Sequence, residues 1–170
     1  MEKRNIPISI PVMGDEELEA LKGPIQTGWL TSGPKVREFE NEFAKSHNVK
    51  HAIAVTSATT ALHLALVALN IGPDDEVIIP AFTWVSTANV VLYQRAKVVF
   101  CDIDPDTFNI DPIKLKDKIT TKTKAIMVVH LFGLCAPMDE IKKVAGDIPL
   151  VEDGACAAGA AYNEIYAGGL

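Results

Sequence analysis

The stretch that decides the fold is AIAVTSATTALHLALVALNIGPDDEVII, residues 52–79. Ala52 to Val55 is a short apolar run without polar alternation, the pattern of a strand covered on both faces. Ser57 stands where a helix N-cap belongs. Ala58 to Leu69 is a helix-length run rich in alanine and leucine, residues that give up little freedom in a helix. Asn70-Ile71-Gly72 stops it, Pro73-Asp74-Asp75 turns the chain, and Val77 to Ile79 opens the next strand. Strand, helix and strand at this spacing predict a parallel α/β sheet with a right-handed crossover.

The alternation continues downstream. The pattern predicts a helix over Thr83–Gln94, a strand over Lys97–Cys101 and a loop over Asp102–Asp111. A helix over Pro112–Lys118, a strand over Ala125–Val129, a helix over Pro137–Ala145 and a strand at Leu150-Val151 follow. None of these strands alternates with polar residues, so helices are expected on both faces of the sheet. Upstream, Pro7, Pro11 and Gly14 make residues 1–15 irregular. Asp15 can cap a short helix from Glu16 to Leu21, which Gly23, Pro24 and Gly28 interrupt. Thr27 to Gly33 reads as a loop. Pro34 then opens a helix to Ser46, with Val36, Phe39 and Phe43 on one face. The expected organisation is an N-terminal arm and short helix over residues 1–34 and an α/β body over residues 35–170. The last residues, Ala167-Gly168-Gly169-Leu170, form neither a helix nor a charged tail, which predicts that the gene product continues beyond them.

Composition narrows the function classes. Of 170 residues, 48% are hydrophobic and 22% charged, with a net charge of −6, a globular and not a disordered balance. The basic residues are scattered, so no nucleic-acid stripe is expected. Three widely spaced cysteines, Cys101, Cys135 and Cys156, suggest neither a disulfide framework nor a zinc site. A reducing compartment fits them. The longest apolar stretch, Ala61 to Leu69, contains His63 and is far too short for a membrane span. Met1 to Ile10 has no apolar core of a signal peptide. The reading is a cytoplasmic protein that binds neither membrane nor nucleic acid.

In open α/β sheets ligands bind at the carboxyl ends of the strands, so the residues following each strand are the candidates. Thr56-Ser57-Ala58-Thr59-Thr60 places small residues at a helix start, whose free N–H groups can hold a phosphate; an ordinary serine cap explains the same residues. Trp84 can stack on a planar ligand or simply pack. Glu152 and Asp153 run directly off an apolar strand, where a charge is costly unless paired, so one of them is expected to meet a positive partner in the protein or in a ligand. No dinucleotide fingerprint, P-loop lysine or metal-ligand spacing occurs. His63 lies within an apolar helix and reads as structural. A nucleophilic Cys156 served by His130 is a further reading, set against the frequency with which cysteine is simply buried.

Several segments together carry a resemblance to a known family: residues 28–34 (GWLTSGP), Phe39-Glu40, residues 57–66 (SATTALHLAL) and residues 72–78 (GPDDEVI). Pro80 with Phe82-Thr83-Trp84, Asp102-Ile103-Asp104-Pro105, Val129 to Gly133 and Glu152-Asp153-Gly154-Ala155 continue the series. In this order the chain, from about Ile8 to its end, resembles the DegT/DnrJ/EryC1/StrS family of pyridoxal-phosphate-dependent (PLP-dependent) aminotransferases of nucleotide-linked sugars. The resemblance implies the large domain of an aspartate-aminotransferase-like fold, truncated before a smaller C-terminal domain. It also implies a homodimer that exchanges a keto group of a nucleotide sugar for an amino group from glutamate or glutamine. Some relatives dehydrate the sugar with the same cofactor. By resemblance the phosphate-holding turn falls on Ala58 and Thr59, the ring-stacking aromatic on Trp84, and the acid facing the pyridinium nitrogen on Asp153. A carboxylate there keeps the nitrogen protonated, so the ring can act as an electron sink.

The chain departs from the family pattern in places. Cys156 stands where the family usually has a glutamine near the cofactor ring, and Ala158 where histidine is frequent; cysteine is the shorter and weaker donor. Leu134 and Pro137 replace polar residues. The Schiff-base lysine implied by the resemblance falls about ten positions past Leu170, after a serine, where it would act as in other Schiff-base enzymes. No catalytic residue is therefore assigned within the chain, and these 170 residues alone are expected to be inactive. The first family strand borders late ones, so its absence of neighbours here predicts an exposed, aggregation-prone edge. A non-catalytic binding or regulatory remnant of the same fold is the alternative from another class.

Overall fold

The computed structural model describes Pro7 and residues 10–170. The irregular arm expected at positions 1–6, 8 and 9 lies outside the described residues. Residues 10–14 carry no helix or strand.

Four strands form a parallel sheet in the order β2-β1-β3-β4, with β1 at Glu76–Pro80, β2 at Lys97–Cys101, β3 at Thr123–Val129 and β4 at Leu150–Asp153. Register sets Val77 beside Val98, Ile78 beside Ile126, and Val129 beside Asp153. Helices cover both faces. On one side α3 (Ala58–Ala68) and α4 (Ser86–Tyr93) pack with Leu62, Leu66, Val90 and Val91 against Val77, Ile79, Ala125, Met127 and Val151. On the other, α5 (Pro112–Lys116) and α6 (Met138–Ala145) bring Leu115, Met138 and Ile141 onto Ile78, Ile126 and Val128. The odd and even residues of β3 thus enter different cores, the period-two consequence of a pleated strand. Each fully buried aliphatic side chain contributes about 1.5–3 kcal/mol.

The helix starts follow local chemistry. Ser57 Oγ accepts the Thr60 N–H at 3.2 Å, and Asp111 caps α5 by accepting the Ile113 N–H at 2.7 Å, with Pro112 at the first helical position. Helix α2 (Pro34–Ser46) likewise begins on a proline. Helix α1 (Asp15–Thr27) is longer than the sequence pattern predicts. It runs through Gly23 and Pro24, and near its end the Thr27 hydroxyl donates to the Gly23 carbonyl, 3.0 Å away. Gly28, at φ 70°, is its actual stop. Helix α4 starts at Ser86 and not at Thr83, since Thr83 to Val85 form the turn after β1.

Two differences matter more. Residues 52–55 are not a strand. A strand exists only as part of a ladder, and no neighbour among the described residues pairs with this run. Ala54 N–H donates to Glu40 Oε1 at 2.9 Å, and Ile53 is 80% exposed. The second is a small hairpin that the pattern does not predict, β5 (Ala161–Tyr162) against β6 (Ile165–Tyr166). Its turn, Asn163-Glu164, holds both residues at positive φ, 48° and 66°. This is the two-residue turn usually written Asn-Gly, here with a glutamate in the second place.

At the carboxyl edge of the sheet Phe82, Phe108 and Phe132 form an exposed aromatic cluster with ring centroids 5.8–6.4 Å apart. Phe108 (φ 60°) and Phe132 (φ 55°) both sit in the left-handed region, uncommon for aromatic residues.

Candidate functional site

All five residues singled out from the sequence, Ala58, Thr59, Trp84, Asp153 and Cys156, line one cavity of about 300 Å³. It opens at the carboxyl ends of β3 and β4, where Val129 and Leu131 form part of its wall. Its size is at the lower end of the roughly 300–1,000 Å³ typical of ligand pockets. A larger cavity of about 460 Å³ runs along residues 51–55 beside Phe39 and Phe43, but no carboxylate lines it.

The first wall is the N-terminus of α3. Ser57 Oγ accepts the Thr60 N–H, and the Ala61 N–H donates to the Ser57 carbonyl. The N–H groups of Ala58 and Thr59 have no acceptor among the described residues, and both residues line the cavity at the positive end of the helix. The second wall is Trp84, 76% exposed in the turn before α4. The third is Asp153 at the tip of β4, which is 7% exposed.

Glu152 and Asp153 point to opposite faces of the sheet, as successive strand residues must. Neither meets a lysine or arginine among the described residues. Glu152 lies on the α6 face, where it accepts from His130 Nε2 at 2.9 Å and from the backbone N–H groups of Gly168 (2.8 Å) and Leu170 (2.9 Å). Asp153 lies on the α3 face. Its Oδ1 accepts the Ala155 N–H at 3.2 Å, and its Oδ2 has only the long 3.4 Å contact from the Thr87 hydroxyl. The Thr87 hydroxyl, fully buried, is also 2.9 Å from that of Thr83. A buried carboxylate with two weak neutral donors is poorly compensated, and its open side faces the cavity. Of the two acids, Asp153 is the one left for a cationic ligand.

Sequence reasoning missed Thr87 and Asn109. Thr87 lies one helical turn after Thr83, a spacing that offered the only signal. Asn109 sits in the loop after β2 and is buried; nothing in its neighbourhood marked it. His63 behaves as a structural residue, edge-on to Tyr93 at 5.5 Å. His130 lies on the far face from the cavity and is bonded to Glu152, not to Cys156, so the Cys156–His130 pair of the nucleophile reading is not formed. No group of three His, Cys, Asp or Glu residues among the described residues can hold a metal.

Comparison with known proteins shows the family. The model of the DegT/DnrJ/EryC1/StrS aminotransferase family matches residues 11–170. The chain belongs to that family. It is 45% identical to the spore coat polysaccharide biosynthesis protein SpsC of Bacillus subtilis, over 100% of this chain and 45% of that protein. A Streptococcus pneumoniae protein assigned as a sugar aminotransferase, solved in its PMP form, superposes with a TM-score of 0.91 at 34% identity, over 97% of this chain and 46% of the other. A GDP-4-keto-6-deoxymannose-3-dehydratase with bound GDP-perosamine gives 0.92 at 36% identity, over 96% and 45%. That enzyme has also been solved with a trapped PLP-glutamate adduct. The chain thus spans somewhat under half the length of these relatives. As a member of this sugar aminotransferase family it has the parallel sheet and flanking helices of the PLP-dependent aminotransferase fold. No helix among the described residues is long and apolar enough to cross a membrane.

Proposed function

We propose that this chain is the cofactor-holding part of a PLP-dependent enzyme that aminates a nucleotide-linked keto sugar, with glutamate or glutamine as donor. The observation that carries the reading is Asp153, a buried carboxylate without a cationic partner, opening into the cavity that Trp84 and the free amides of α3 share. The donor set fits a flat ring with a cation at one end and a phosphate at the other. The Ala58 and Thr59 N–H groups would take the phosphate, as helix starts do. Trp84 would lie on a ring face, and Asp153 would hold a protonated ring nitrogen. Cys156 would stand near the ring edge in place of a longer amide.

When bound, pyridoxal phosphate supplies an electron sink for the charge left when a C–H bond loses its proton. The chain's own residues do the rest. Asp153 keeps a proton on the ring nitrogen by placing a negative charge beside it in a poorly hydrated site. Thr87 restrains that carboxylate from below. The α3 amides anchor the other end, which fixes the ring's angle, and such orientation is worth several powers of ten in rate. No lysine lines the cavity, and the reading assigns the Schiff-base lysine to a part of the enzyme outside these 170 residues. It also makes the working enzyme a cytoplasmic homodimer, with residues 1–34 as an arm on the cofactor domain.

A second reading is dehydration of the sugar on the same cofactor, since a dehydratase superposes on the chain as well as the sugar aminotransferase does, with TM-scores of 0.92 and 0.91. One experiment separates them. The full gene product is incubated with PLP, glutamate and a panel of nucleotide-linked keto sugars, and products are weighed by mass spectrometry. Gain of an amino group supports transamination. Loss of a hydroxyl without gain of nitrogen supports dehydration. A protein that takes up no PLP overturns both.

A further inference from the structure

Behind the cavity, on the opposite face of the sheet, lies a set of buried and half-buried hydrogen bonds. His130 follows β3 and is fully buried. Its Nδ1 accepts the Ala136 N–H at 3.1 Å, which assigns the ring proton to Nε2 and makes the 2.9 Å contact with Glu152 a donation from histidine. Its backbone N–H donates to the Asp153 carbonyl at 3.0 Å. Glu152 completes its set with the Gly168 and Leu170 N–H groups, 2.8 and 2.9 Å away. Asn109 bonds separately to the backbone just after His130. Its Oδ1 accepts the Leu131 N–H and its Nδ2 donates to the Leu134 carbonyl, both at 3.0 Å, clamping the turn whose first residue walls the cavity.

The geometry points to Asn109, His130 and Glu152 as positioning residues for Asp153. They touch no part of the cavity, yet they join the ends of β3 and β4 and the loops at 102–111, 130–136 and 166–170. Register gives the joint its lever, because Val129 pairs with Asp153 and His130 is the next residue. Tilting the tip of β4 turns the Asp153 carboxylate, and a misplacement of about 1 Å can cost on the order of 10²-fold. Each group has one role. Histidine must accept at one nitrogen and donate at the other. Glu152 must accept three times and donate nothing, which a carboxylate does and an amide does not.

This assignment rests on the cofactor reading above, so its test measures cofactor binding and ring orientation and not turnover. In the full gene product, PLP affinity is titrated by fluorescence and ring orientation is read from the circular dichroism induced in the visible cofactor band. His130→Ala is expected to weaken binding about tenfold, by analogy with the loss seen when a partner that orients a metal ligand is removed, and to diminish the induced signal. His130→Gln, which can accept and donate, should recover most of both. Glu152→Gln, isosteric but with two N–H groups facing donors, should fall between; if His130→Ala does not fold, this variant decides. Folded Glu152→Gln and His130→Ala proteins with unchanged affinity and unchanged induced signal overturn the positioning role alone. Weakened binding that His130→Gln fails to restore also overturns it. A wild type that takes up no PLP overturns the cofactor reading and this assignment with it.

Discussion

The two faces of the sheet end differently at the tip of β4. On the α6 face Glu152 receives three N–H donors and lies beside the apolar cluster built around Ile126, Met138 and Ile141. On the α3 face Asp153 receives two weak ones, and the neighbouring Trp84 and helix-start amides face open space. The acids are adjacent in sequence and equal in charge, so the difference comes from the surroundings. A face whose polar groups are all bonded to the protein holds shape. A face that leaves them unspent has capacity for a ligand. The apolar core of the first should respond to truncation through stability, whereas the second, and the His130–Glu152 joint behind it, should respond through binding.

The largest expected break of that contrast is Ile141→Ala on the closed face. Removing this fully buried side chain should cost about 2–5 kcal/mol of stability, seen as a lower midpoint in urea, with PLP affinity of the folded fraction unchanged. On the open face Asp153→Asn should do the reverse. Amination should fall by at least about 10²-fold, the scale of a lost preorganised charge partner, while thermal stability stays level or rises. Trp84→Ala should leave stability within about 0.5 kcal/mol, because the residue is exposed, and weaken PLP binding by roughly fivefold, the worth of about 1 kcal/mol of ring contact.

Smaller effects refine the picture. At the amino edge of the sheet, Lys97 and the Thr120 hydroxyl bond the Glu76 carboxylate and hold its pKa below the ordinary carboxylate value. A depressed folded pKa gives stability that is present above the unfolded value and lost as pH falls through the folded one. The stability gap between wild type and Lys97→Met should therefore be open at neutral pH and close on acidification, a thermal melt at each pH being the measurement. The cysteines give the mildest probe. Burial pushes the Cys101 thiol up to about 11, so at pH 8 an aromatic disulfide reagent should reach it only on unfolding. Cys156, exposed at the cavity, should label first and be shielded by PLP, whereas Cys135, which does not line the cavity, should label at the same rate with or without it.

Much of this was legible before any coordinates. The runs 77–79, 97–101, 125–129 and 150–151 show as apolar stretches because the sheet is largely covered by helices, though the strands extend further, to Glu76, Pro80, Thr123 and Asp153, and Ser57 marks the start of α3 by side-chain chemistry alone. The site residues were legible only through family resemblance, since a serine cap, an exposed tryptophan and two acids each have a plain structural reading. What stayed hidden has physical reasons. The run at 52–55 has strand composition but no ladder partner here, and composition cannot report a partner. The hairpin at 161–166 uses Asn-Glu where the recognisable turn is Asn-Gly. Glu152 and Asp153 could be placed on opposite faces by alternation, but which face carries the cavity depends on where α3 packs. Asn109 acts through both ends of its amide on a loop 22 to 25 residues away, and no local pattern encodes such a contact.

Phe108 and Phe132 bear on how the chain would change under artificial selection. Each holds its backbone in a region that glycine occupies freely, at a cost on the order of 1 kcal/mol, while its side chain stays 43% exposed at Phe108 and 73% at Phe132. A library screened only for heat resistance should therefore discard these two rings early, with glycine or asparagine replacing them. A library screened for turnover should keep them if they serve the reaction, and the divergence between the two pools would date their usefulness without any assay of a single variant.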